Sequence, residues 1–224
     1  MSQNQTYQIK LIRAAPGALQ SLIDDLKSDS QTLTDAGQDA PYLIRHSQGD
    51  QWDLMIISSV ESIESHFGST NQSILSSTKV FGKAYGDPIF DKISWMEESF
   101  VDGPDKATFK SLMTENDFYH LEIFTALAGK QSELLKQREM ENVYLDELNR
   151  KPNFVFTRIA GASWDIFTLG VYKDIMEYAS SGNIPFETED EAAKVAGFES
   201  VTTIGTYLRE LLLEHHDTLG KAVR

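Results

Sequence analysis

An α+β fold made of two copies of one β-α-β-β-α-β unit is predicted for this 224-residue chain, and three observations predict it. The first is a repeat at a spacing of 112 residues, half the chain length. Tyr7-Gln8-Ile9-Lys10-Leu11-Ile12 aligns with Tyr119-His120-Leu121-Glu122-Ile123-Phe124, and Trp52-Asp53-Leu54-Met55-Ile56-Ile57 aligns with Trp164-Asp165-Ile166-Phe167-Thr168-Leu169 at the same offset. Repetition at a fixed period is the mark of a duplicated architecture. The second is the kind of residue the copies share: Ala14/Ala126, Gly17/Gly129, Leu22/Leu134, Leu33/Leu145, Gly49/Gly161 and Ile63/Ile175 are core and turn types rather than common surface residues. The third is that apolar spacing changes between a period of two and one of 3.6 in the same order in both copies.

Residues 7–14 alternate as a strand, with Tyr7, Ile9 and Leu11 on one face and Gln8, Lys10 and Ile12 on the other. Pro16 suits a first helical turn, where its missing N–H has no partner. Leu19, Leu22, Ile23 and Leu26 then recur at helical spacing. Residues 42–46 and 52–58 read as strands around a short turn at 48–51. A second helix starts near Val60 and carries Ile63 and Phe67, and a Ser/Thr/Asn-rich stretch follows over 69–78. Residues 89–96, entered through Gly86-Asp87-Pro88, read as the fourth strand.

Asp102-Gly103-Pro104-Asp105 has the composition of a turn. It divides the chain into a first half over 1–101, a linker over 102–117 with a short helix at 107–113, and a second half over 118–224. The second half opens with a strand at 118–126 and a helix over 129–149 that stops at Lys151-Pro152. A hairpin of 153–159 and 163–171 turns at Gly161, and a helical start lies at 173–178. Thr188-Glu189-Asp190-Glu191 reads as a capping box opening a helix that ends near Gly197. Ser200 then caps a helix running to His216, which leaves residues 219–223 for a short last strand.

Composition narrows the function. A formal charge of −14 repels phosphate backbones and anionic membranes, so neither nucleic acid nor membrane is an expected partner. With no cysteine, disulfides, thiolate catalysis and cysteine-ligated metals are excluded. The polar opening residues carry no secretory signal and no segment is of membrane-spanning length, which points to a cytoplasmic protein. Phosphate-loop, dinucleotide-binding, nucleophile-elbow and zinc-protease motifs are absent.

Each β-α-β-β-α-β unit makes a four-stranded antiparallel sheet with its helices on one face, the ferredoxin-like arrangement. Two such sheets can cover one another's bare faces. In element order, duplication and the placement of its two Trp-Asp hairpins, nearly the whole chain resembles the dimeric α+β barrel superfamily in fused form. That resemblance implies ligands held between sheet and helices or inside the barrel. It implies a range of activities: cofactor-independent monooxygenases, isomerases, chlorite-dismutase-like haem proteins and stress-induced barrels.

Four residues carry candidate chemistry. His120 and Glu122 lie two apart on a strand and share a face, which suits an acid–base pair; a solvated strand face is the other reading. Arg158 alternates with Phe154 and Phe156 and would anchor an anionic group if that face lines the interior. On the helix running to His216, His215 falls in the middle of the apolar face of Ile204, Tyr207, Leu208, Leu211, Leu212 and Leu219. The haem relatives use a helix histidine as iron ligand, so the resemblance makes His215 the candidate axial ligand; a satisfied buried histidine is the alternative. No metal site is expected. The leading function is an enzyme of small-molecule metabolism, carrying out monooxygenase-like cofactor-independent oxidation or proton transfer on an apolar or aromatic oxygenated compound. His120 would be its acid or base, Glu122 would orient His120, and Arg158 would bind an anionic group. The alternatives are a haem-binding barrel and a non-catalytic small-molecule-binding barrel. A small-molecule ligand is the expected partner, with a homodimer left open.

Overall fold

The structure, a computed structural model, describes residues 5–83 and 86–224. The first four residues of the polar opening lie outside it. Its strands are β1 (Gln5–Ala14), β2 (Tyr42–Gln48), β3 (Leu54–Val60), β4 (Ile93–Gly103), β5 (Phe118–Ala126), β6 (Phe154–Gly161), β7 (Ile166–Tyr172) and β8 (Leu212–Ala222). Its helices are α1 (Leu19–Asp35), α2 (Ile63–Phe67), α3 (Ser69–Ser76), α4 (Lys106–Glu115), α5 (Gln131–Glu147), α6 (Ile175–Ala179), α7 (Phe186–Val195) and α8 (Ile204–Leu211).

The strands form one closed antiparallel barrel in the order β1-β3-β2-β8-β5-β7-β6-β4. Within it the first half contributes β4-β1-β3-β2 and the second β8-β5-β7-β6, each the order of a ferredoxin-like sheet. Instead of lying face to face as two separate sheets, the halves share edges. β2 pairs with β8 from Ile44 opposite Ala222, and β4 pairs with β6 from Ser99 opposite Gly161. Closure satisfies the edge N–H and C=O groups that two separate sheets would leave bare.

The pleat sends Tyr7, Ile9 and Leu11 of β1, and Tyr119, Leu121 and Ile123 of β5, into the barrel. Trp52, Met55, Phe156, Trp164 and Phe167 join them, and the Phe156 and Phe167 rings stack at 4.2 Å. Side chains therefore fill the interior. One end is stoppered by α4, whose Phe109 and Met113 belong to the same core. The Phe109 ring meets Tyr7, Tyr42 and Phe154 edge-on at 5.0–5.3 Å. Most of the stretch expected to be a linker is thus a barrel plug, capped by the Asp105 carboxylate on the Thr108 N–H.

The shared residues of the repeat explain the closure. The Asp53 and Asp165 carboxylates accept from the N–H of Ala14 and Ala126 at 2.8 and 2.9 Å, tying each third strand to the end of its first. Gly49 and Gly161 adopt φ of +124° and +77° where each hairpin turn presses on the other half. A Cβ at Gly49 would lie 2.1 Å from the Asp217 carbonyl oxygen, and one at Gly161 2.3 Å from that of Glu98. Only glycine permits both the backbone conformation and the approach.

Three boundaries differ from the sequence reading. Pro88–Lys92 forms a 3-10 turn, and the fourth strand starts at Ile93 and runs to Gly103. Thr188 lies inside the first turn of α7, which follows Pro185, so the Thr188–Glu191 pair caps nothing. The final helix stops at Leu211, because Leu212 turns extended (φ −101°, ψ 138°). The eleven residues that follow are β8, held by β2 on one side and β5 on the other. Two ladders of backbone hydrogen bonds override the helical spacing of the leucines. No described helix is long and apolar enough to cross a membrane.

Candidate functional site

With the odd-numbered residues of β1 and β5 inside the barrel, Gln8, Lys10 and Ile12 and their counterparts His120, Glu122 and Phe124 face the helices. Each half therefore has a polar seam between sheet and helical layer. Register gives each seam an acid on the neighbouring strand: Glu98 lies opposite Lys10, and Asp217 opposite Glu122.

In the second-half seam, His120 Nε2 lies 3.3 Å from Asp217 Oδ1, and His215 Nε2 lies 3.1 Å from Oδ2 of the same carboxylate. Glu122 does not orient His120. It accepts from Thr168 Oγ1 at 3.1 Å and faces Arg138 of α5 at 3.5 Å. Arg138 is 2 % exposed. It also pairs with Glu141, donates from Nε to Gln137 at 2.7 Å, and lies 4.7 Å from the Phe124 ring centre. Burial is the largest influence on His120 and opposes its protonation. The hydrogen bond to Asp217 and the charges of Glu122, Asp217 and Glu141 together outweigh it and hold the pKa above the ordinary histidine value. The bond from His120, the leading cause, keeps the Asp217 pKa below the usual carboxylate range. Burial raises that of Glu141.

His120 and His215 thus meet around Asp217, but Arg158 stands apart. It lies on the barrel-interior side of β6 at an open end, donating to the Trp164 carbonyl at 2.5 Å and to Asp165 at 2.9 Å. Because His120 and Arg158 occupy different layers, the three-residue acid–base site expected from the sequence does not assemble. His215 is on a strand rather than a helix. Its Nε2 is committed to Asp217, and its ring is stacked on Phe124 at 5.9 Å and 9°. Both the nitrogen an iron would take and one ring face are in use, so His215 does not fit an axial haem ligand. Among the described residues no group of three or more His, Asp or Glu is arranged to hold a metal ion.

The first-half seam differs in having space. A cavity of about 510 Å³ lies over the outer face of β1 and β3, bounded by the end of α1, by α2 and by α3. That size falls in the range of small-molecule sites. Its walls include Gln8, Ser58, Leu33, Ile74 and Phe81, and one wall is His66. The Ser62–Ser65 capping box starts the helix that delivers this residue. His66 is 8 % exposed. Its Nε2 lies 3.2 Å from Gln8 Nε2, and its ring packs edge-on against Phe100 at 5.2 Å. Burial, the leading cause, lowers the His66 pKa; Glu98 opposes this and Lys10 adds to it. Lys10 Nζ is 3.5 Å from Glu98 and lies over the Phe81 ring at 5.9 Å.

Sequence reasoning missed His66. The signal lay in the repeat: position 66 corresponds to Tyr178 and Gln8 to His120, so this matched pair of positions carries a histidine in each seam, from the helix in one copy and from the first strand in the other. The His120 and Tyr178 rings sit 5.3 Å apart in the same relation.

No family model matches this chain and no curated protein matches it. Solved structures do. An anthrone oxidase-like protein superimposes with a TM-score of 0.63 at 12 % identity, over 99 % of this chain and 92 % of that one. A putative monooxygenase from Lactobacillus acidophilus NCFM gives 0.53 at 11 % identity, over 99 % and 94 %. A mutant chlorite dismutase from Candidatus Nitrospira defluvii gives 0.53 at 10 % identity, over 99 % and 93 %. This chain shares their fold.

Proposed function

We propose that the first-half cavity is the active site of an oxidoreductase or proton-transfer enzyme acting on an oxygenated ring compound, with His66 as general base. One observation carries this reading: a buried histidine, biased toward its neutral form, lines a 510 Å³ cavity with both polar and apolar walls. The proton position follows from its neighbours. A carboxylate only accepts, so the Gln8 amide nitrogen that bonds Glu98 is a donor, and the same nitrogen turned to His66 donates to Nε2. Nε2 then carries the lone pair and Nδ1 the proton. A substrate hydroxyl that takes the place of the Gln8 amide donates to that lone pair, and proton transfer leaves an electron-rich substrate anion. Glu98 favours the imidazolium that forms. The anion is reprotonated elsewhere in an isomerisation, or gives up electrons to dioxygen in a cofactor-independent oxidation. The anthrone oxidase-like and monooxygenase-like neighbours support the oxidative branch by analogy of fold.

Oxygen uptake and substrate loss over a panel of hydroxylated aromatics test the reading. His66→Gln should lower kcat by about 10²–10⁴-fold, the usual contribution of a positioned base, with little change in KM. A variant with unchanged kcat, or activity that tracks a Soret band in the purified protein, would sink it.

A further inference from the structure

We propose that the first-half cavity selects neutral ring compounds bearing several hydroxyl groups, and discriminates against anionic and cationic analogues of the same ring. The inference rests on the cavity being the ligand site and adds its chemical preference.

The argument comes from counting donors and acceptors. Four amide side chains line the space: Gln5, Gln8, Gln38 and Asn71. In Gln5 and Gln8 both N–H groups of the amide are committed to the protein, and Gln38 and Asn71 each commit one. Gln5 donates to the Thr6 and Val60 carbonyls, and Gln8 donates to Glu98 and His66. Asn71 donates to the His66 carbonyl at 2.7 Å, which turns its oxygen to receive Gln38 Nε2 at 2.9 Å. These orientations are not interchangeable, because Glu98 and the main-chain carbonyls only accept. What the amides of Gln5 and Gln8 keep for a ligand is their carbonyl oxygens, whereas Gln38 keeps its oxygen and one N–H and Asn71 keeps one N–H. The Nε2 lone pair of His66 becomes a further acceptor when a ligand hydroxyl takes the place of the Gln8 amide, which frees one Gln8 N–H in return. With the Ser58, Ser59 and Thr70 hydroxyls also on the wall, the cavity offers fixed acceptors together with neutral donors, and a ligand hydroxyl, which both gives and takes a hydrogen bond, meets both.

Charge then excludes two of the three ways of supplying a ring compound. Lys106, the one lysine or arginine among the described lining residues, is held in an ion pair by Asp39, which also faces Lys110 at 3.6 Å. With Glu61 beside them, the wall offers a carboxylate or phosphate no uncommitted cation, and the net charge of −14 opposes its approach. A cationic amine is drawn in by the same net charge, but it finds Asp39 already paired with Lys106 and Lys110, and Glu61 exposed to water that screens it. In the deep part of the cavity it would displace water from its own charge against His66, Leu75 and Phe81. Leu33, Ile74 and Phe81 suit the faces of a flat ring.

Titration calorimetry on the purified chain with three matched probes tests this: naphthalene-1,8-diol, 1-naphthoate and 1-naphthylmethylammonium. The diol should bind at least about ten-fold more tightly than either charged probe. Gln38→Met should weaken the diol by about three- to ten-fold, the loss of one neutral hydrogen bond, and leave naphthoate unchanged. Ser58→Trp, which places a large ring on the cavity side of β3 opposite Gln8, should abolish diol binding. Naphthoate or the ammonium probe binding as tightly as the diol would overturn the selectivity while leaving the cavity as the site. Diol binding that survives Ser58→Trp, or no binding by any probe, would overturn both the selectivity and the site itself.

Discussion

Arg138→Leu isolates the energetics of the second-half seam. The side chain is 2 % exposed and meets Glu122, Glu141, Gln137 and the Phe124 ring. Removing it leaves two partly buried carboxylates facing one another without a cation. Breaking a buried ion pair by deleting one partner costs about 3–5 kcal/mol. With a urea slope of roughly 2–3 kcal/mol per molar for a chain of this size, the midpoint should fall by about 1–2 M. The repeat supplies the control. Its counterpart of Arg138 is Leu26, and that of Glu122 is Lys10, which faces Glu98. The double variant Glu122→Lys/Arg138→Leu copies the first-half solution, setting a lysine opposite Asp217. It should recover about 1–3 kcal/mol of the loss, the coupling expected for residues in one network. Urea unfolding followed by tryptophan fluorescence measures both. A single-variant loss below about 1 kcal/mol, or no recovery in the double variant, would refute the view that charge balance holds this seam.

Three further outcomes are expected. His66 and His120 should act oppositely on pH-dependent stability. The depressed pKa of His66 gives the unfolded chain more protons as pH falls below about 6.5, so this residue destabilises on the acid side. The raised pKa of His120 gives stability that is complete below about pH 6.5 and is lost as pH rises through its folded value. Melting temperatures at pH 5.5 and 8.5 should therefore show His120→Gln destabilised more at the acid pH and His66→Gln relatively protected there; the reverse order refutes the assignments. Asp217→Asn should lower the His120 titration midpoint in an NMR pH series, since Asp217 supplies the bond that favours its charged form. Gly49→Ala should cost at least about 1–3 kcal/mol from backbone strain alone, before the clash with the Asp217 carbonyl is counted, and calorimetric unfolding would show a near-neutral change if the closure does not depend on it.

Much of the architecture was legible because the repeat records packing. Tyr7/Tyr119, Gly49/Gly161 and Asp53/Asp165 mark the joints of the barrel, and alternation in β1 sorted its residues into the two faces the structure shows, without saying which face is inside. Only the end of the last strand was legible, at 219–223. Leu208, Leu211 and Leu212 satisfy a helical stripe as well as a strand, and only pairing with β2 and β5 decides between them. That choice moved His215 from a helix to the sheet. The site was half legible for a related reason. His120 was found because His and Glu at adjacent same-face positions stand out, but its partner Asp217 is 97 residues away and is brought in by register. His66 was read on the second helix beside Phe67, but nothing in the sequence marked it as the wall of a cavity. Arg158 shared the right alternation with Phe156 but at the barrel mouth, where the same face meets solvent.

β8 follows every other strand in chain order, yet it sits between β2 and β5 in the finished cylinder. A chain emerging from the ribosome must therefore hold an open, seven-stranded sheet until its final stretch arrives. Throughout that interval β2 and β5 expose hydrogen-bonding edges that another nascent chain could occupy. Productive folding of this protein is consequently a race between the delivery of β8 and intermolecular association, and deletion of β8 would yield insoluble material rather than a shorter working barrel.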